Sequence, residues 1–103
     1  MKVDYDSEGH SLLFEFGSFG EDDYVEEMAI GECFVWVLDG HASSVQLLDA
    51  DRSLDPLDEV AERFELDKVE LRAAASAAMV APDREITIEV GAQRLLGAEA
   101  KAP

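Results

Sequence analysis

Cysteine is nearly absent: Cys33 stands alone among 103 residues. That excludes an internal disulfide and a cysteine-rich metal centre. Histidine is almost as scarce. His10 and His41 both fall in predicted turns, and neither has a His, Cys or carboxylate at helical ligand spacing, so no metal or cofactor is expected. Basic residues are few, 8 Lys and Arg against 24 acids, for a net charge of −16. A surface of that sign repels phosphate backbones and anionic lipid, which argues against nucleic-acid and membrane partners. Long apolar runs are missing too. The longest stretch without a charge, Ala73 to Pro82, is about half the roughly 20 residues a membrane span needs. The start, Met1-Lys2-Val3-Asp4, has no apolar stretch of the secretory kind, which predicts a cytoplasmic protein. No Ser-His-Asp arrangement, phosphate loop or glycine fingerprint occurs.

What is present is acid, unevenly spread. Residues 1–50 hold 12 acids and one base, Lys2; residues 51–103 hold 12 acids and 7 bases. The densest cluster is Glu21, Asp22, Asp23, Glu26 and Glu27, whose like charges repel unless salt or a partner relieves them. It reads as a solvated, charge-protected edge strand, as a docking surface for a basic protein, or as a weak cation site. Asp4, Asp6 and Glu8 superficially resemble a calcium loop, but the later glycine and distal glutamate are missing. Their spacing overlaps a strand, which sends Asp4 and Asp6 to one solvent-facing side. Cys33 opens a strand beside Phe34, where a thiol is expected to be buried and inert.

Apolar and aliphatic residues suffice for one core, and the chain reads as one α+β domain over residues 1–96 with a flexible tail over 97–103. Residues 2–6 and 11–17 alternate with period two around a Ser7–His10 turn, predicting a hairpin. Residues 24–30 alternate imperfectly. Residues 33–38 alternate with apolar groups on both sides, which suits a central strand covered twice. Asp39-Gly40 is a strong hairpin signal leading to a strand over 43–48. At Asp55-Pro56 the period changes. Asp55 is expected to cap a helix with proline in its first turn. Leu57, Val60, Ala61 and Phe64 form its apolar stripe, and Glu59 and Arg63 pair outside. Asp67 and Glu70 have capping-box spacing, and Leu66 and Leu71 that of a hydrophobic staple. Helix propensity carries this second helix towards Val80. Against that, Ile86, Ile88 and Val90 alternate as a strand, and Pro82-Asp83 would suit a hairpin whose first arm is Ser76–Ala81.

Lys2-Val-Asp-Tyr-Asp6-Ser-Glu8, Ser11-Leu-Leu-Phe14, and Asp39-Gly40 before Ser44-Val-Gln-Leu-Leu-Asp-Ala50 resemble domain-of-unknown-function family 2283, small uncharacterised prokaryotic proteins. The resemblance covers about residues 2–51. It departs from the family pattern at His10, at Phe14 and over Ser44-Val45-Gln46. It implies a fold that closes with a helix and a β-hairpin, which tips Ser76–Ala81 towards a strand. Relatives beside toxin-like genes imply an inhibitor role by analogy.

The expected fold is an antiparallel β-meander (about 2–6, 11–17, 24–30 or 33–38, and 43–48), then one or two short helices between 56 and about 73, then a C-terminal hairpin at 76–90. Leu57, Val60 and Phe64 should cover the sheet face of Leu12, Phe14, Phe16 and one side of strand 33–38. The other side leaves apolar groups for a homodimer. The leading functional reading is a non-enzymatic interaction protein, an acidic inhibitor or antitoxin-like binder of a basic protein. The alternatives are a structural module whose acidity suits a salty cytoplasm and a small enzyme without a recognisable motif.

Overall fold

The computed structural model describes residues 1–17, 20 and 23–88. Its elements are β1 (Lys2–Asp6), β2 (Ser11–Glu15), β3 (Glu26–Ile30), β4 (Cys33–Leu38), β5 (His41–Leu47), α1 (Pro56–Phe64), α2 (Lys68–Met79) and β6 (Glu85–Thr87). The strands make one six-stranded sheet ordered β3-β4-β5-β2-β1-β6, every pair antiparallel. The fold class is therefore α+β, as expected. Both segments 26–30 and 33–38 are strands, and together with β5 they form the meander.

Turn chemistry explains the local hairpins. Asp39 and Gly40 both take positive φ, 53° and 80°, the conformation that a two-residue turn between twisted strands requires. Gly31, at φ 59°, plays the same part between β3 and β4. In the Ser7–His10 turn it is His10, not Gly9, that takes the left-handed conformation, at φ 57°. Gly9 is there for space, since a Cβ on it would lie 3.0 Å from the Asp6 carboxylate.

Alternation then sorts the side chains. Val3, Tyr5, Leu12, Phe14, Val45 and Leu47 point to one face, joined by Cys33, Val35 and Val37 of β4, and all are buried. Both helices pack on this face, α1 over β3, β4 and β5, and α2 over β1 and against α1. Leu57, Val60 and Ala61 of α1 and Leu71, Ala74, Ala75 and Ala78 of α2 complete the core. Small alanines let α2 approach closely. The expected helix stripe holds, with Phe64 and Phe16 only partly buried at its margin.

Three expectations are corrected. Residues 76–79 continue α2 and do not form a hairpin arm; the alanine-rich stretch keeps its helical propensity and buries one face of it. The strand that follows pairs with β1, as Lys2↔Thr87, Val3↔Ile86 and Asp4↔Glu85. The remainder of the predicted closing strand, at 89 and 90, lies outside the described residues, as does the predicted tail. Asp55 makes no side-chain cap, and its own backbone is already helical (φ −56°, ψ −35°). Its carboxylate instead binds Arg72, at 2.7 Å. Glu59 and Arg63 do not form an ion pair; Arg72 of α2 takes Asp58 in a two-point contact, both distances 3.0 Å, and so ties the two helices. Asp67 does cap α2, accepting from the backbone N–H of Val69 and Glu70.

Candidate functional site

With both helices on one side, no described element covers the other face of the sheet. Strand registers place its side chains in rows. One row runs Ala29–Phe34–Gln46–Leu13–Asp4–Glu85, and the next Glu27–Trp36–Ser44–Glu15–Lys2–Thr87. Phe34, Trp36, Leu38 and Leu13 are half-buried there, with no described helix over them. They form the apolar half of the face, over β4, β5 and β2. The other half, over β1 and β6, is acidic. Asp4 faces Glu85 directly across the ladder. Its carboxyl is pushed up from the usual range, first by partial burial and then by the charges of Glu85, Glu15 and Asp6.

The acidic cluster singled out in the sequence is divided by the same alternation. Glu26 and Glu27 are both exposed on edge strand β3, but Glu26 pairs with inward Val37 while Glu27 stands beside Trp36 on the open face. The Asp23 carboxylate closes a local turn by accepting the Gly20 N–H at 2.7 Å. Glu21 and Asp22 lie outside the described residues. Asp4 and Asp6 share a face, as their spacing implies.

A second polar group gathers where the Ser7–His10 turn meets the loop after β5. The Tyr5 hydroxyl donates to one Asp51 oxygen, and His10 Nδ1 lies 2.8 Å from the other. The bond to Asp51 leads the causes that push the Tyr5 hydroxyl up to about 12, ahead of burial and of the charges on Asp51, Asp83 and Asp6. The same bond, with His10, holds the Asp51 carboxyl below its usual range against an opposing desolvation. His10 and Asp51 are about half exposed, and both tie a turn to a loop: the Ala50 N–H also donates to the His10 carbonyl. Asp83 is held low by the Ser7 backbone N–H and hydroxyl. These contacts anchor the Ser7–His10 turn to the loops that hold Asp51 and Asp83. His41 begins β5, where a turn was expected, and is exposed.

Cys33 is fully buried, and burial, ahead of Glu59 and Glu32, pushes its thiol up to about 11. At neutral pH it is an unreactive thiol. Two concavities border β1 and its neighbours in the sheet. A cleft of about 550 Å³ is lined by side chains that include Lys2, Glu15, Phe16, Ser43, Ser44 and Thr87. It presents hydroxyls, but no histidine or cysteine lines it. A groove of about 480 Å³ runs along Asp4, Asp6, Asp83 and Glu85, with Tyr5 and Arg84. Among the described residues, no group of three or more His, Cys, Asp or Glu is arranged to hold a metal ion, and no helix is long and apolar enough to cross a membrane.

No protein-family model, no curated protein and no solved structure matches this chain.

Proposed function

We propose that this chain is a non-enzymatic interaction protein that docks a basic partner protein on the open face of its sheet, in the manner of an inhibitor. The observation that carries this reading is the pair Phe34 and Trp36, half-buried on an uncovered face whose flanks are acidic. Aromatic rings supply contact area at little entropic cost. Surrounding charge selects the partner and speeds encounter. The net charge of −16 attracts a cationic protein from beyond the contact itself. Glu27, beside Trp36, is the member of the Glu21–Glu27 stretch that joins this surface.

A second copy is the competing occupant, because the patch is apolar. It would bring two strongly negative chains together and set their acids face to face, which ordinary salt only partly screens. A reducing, cytoplasmic setting belongs to the same reading, since a buried free thiol suits it. So does membership of family 2283, whose resembling segments fall on the adjacent strands β1, β2 and β5.

Affinity capture from host extract tests the proposal, using the natural chain and Phe34→Ser/Trp36→Ser side by side. One basic protein should be retained at low salt, released as salt rises and lost on the double substitution, with the circular dichroism unchanged. Recovery of nothing but a second copy, or capture undiminished by the substitutions, overturns it.

A further inference from the structure

The open face changes chemistry across its width. Along Ala29–Phe34–Gln46–Leu13–Asp4–Glu85 it passes from apolar through amide to anionic. The anionic end is also concave, forming the groove of about 480 Å³ along β1 and β6. Within that groove Asp83 is occupied by Ser7, and one Asp6 oxygen accepts the Glu8 N–H. Asp4 and Glu85 remain, directly opposed across the ladder. Like charges in that relation destabilise a sheet unless a cation stands between them. Arg84 also lines the groove, and among the described residues neither it nor any other cation forms an ion pair with Asp4 or Glu85.

Resting on the docking reading above, we propose that the face is a two-point reader of a partner segment. One apolar side chain of the partner seats on Phe34 and Trp36, and one arginine or lysine enters the groove between Asp4 and Glu85. Strands lie about 4.8 Å apart, so the points, three to four strands from each other, are about 14–19 Å apart. On a helix laid across the strands this is about ten to thirteen residues, at 1.5 Å per residue. A partner with its apolar and basic groups adjacent fills one point and leaves the other empty.

Two tryptophan-free helical peptides of one composition test this. Each carries a leucine pair and an arginine pair on the same helical face, about eleven residues apart in one peptide and about four in the other. Trp36 is the only tryptophan of the chain, so its emission reports contact at the apolar point. The long-spaced peptide should shift that emission to the blue and bind about tenfold tighter than the short one. Asp4→Asn/Glu85→Gln should remove the advantage and leave the short peptide's affinity unchanged. Equal affinities, with Trp36 responding to both peptides, overturn the two-point reading while the docking face stands. No Trp36 response to either peptide overturns both.

Discussion

Tyr5 shows how one side chain serves two environments. Its ring is buried in the core, on the strand opposite Leu12, with 7% of its surface exposed, while its hydroxyl reaches the loop after β5 and binds Asp51. The ionised phenolate would lose that bond and face a carboxylate, which is why its pKa rises from 10 to about 12. A group whose folded pKa is raised contributes stability that is complete below its unfolded pKa and is lost as pH climbs through the folded one. The urea midpoint should therefore fall between pH 10 and about 12. Tyr5→Phe should flatten that limb, and unfolding curves across the range measure it. Asp51 works in the opposite sense. Its folded pKa is lowered, so its share is present above 3.8 and is lost as pH falls below that value. An alkaline limb identical in Tyr5→Phe would show that the hydroxyl bond contributes nothing in solution.

At the scale of elements, the two helix starts carry similar sequence signals and use them differently. Asp67 holds extended backbone, φ −83° and ψ 109°, and its carboxylate reaches the N–H groups of Val69 and Glu70. Asp55 is already helical, so its carboxylate is free to take Arg72. Asp67→Ala should cost about 1 kcal/mol, the usual value of an N-cap. Asp55→Ala removes one exposed limb of an ion pair and should cost clearly less, as thermal unfolding of the two variants would show. Helix α1, the β1–β2 hairpin and the Asp-Gly turn into β5 were legible in the sequence, because periodicity and turn residues are local signals. The expectation that strand 33–38 is covered on both sides is corrected, since both helices pack on its Cys33–Val35–Val37 side and no described element covers the other. The extent of α2 was legible in its alanines, and a family resemblance pulled it the wrong way. What was not legible is long-range pairing. Nothing local announces that β6 returns to β1, so the opposition of Asp4 and Glu85, and the groove it creates, had no signal in the sequence. Phe34 and Trp36 were visible as the second apolar face of β4. That this face lies open required knowing that both helices pack on the other one.

For the whole molecule, charge is the dominant fact. A net charge of −16 on 103 residues opposes compaction, and salt screens the repulsion within about 10 Å at 0.1 M. The thermal midpoint should rise when NaCl is increased from about 20 mM to about 0.5 M; a gain of about 1 kcal/mol corresponds to about 4–8 °C for a chain of this size. Scanning calorimetry at both salts reads it, and an unchanged midpoint would mean the acids are already spaced widely enough to ignore one another. The order of the strands has another consequence. The β1–β2 hairpin and the β3–β4–β5 ribbon each close over short distances in the chain, yet they meet along a single seam, Leu12 against Leu47 and Phe14 against Val45. Among the first five strands, loop closure is therefore longest at that seam, whose contacts cannot form until β5 has been made. A growing chain carries the apolar flank of β2 unpaired with β5 for as long as synthesis takes to reach residue 47, an interval in which the 12 acids of its first half oppose close approach of a neighbouring chain.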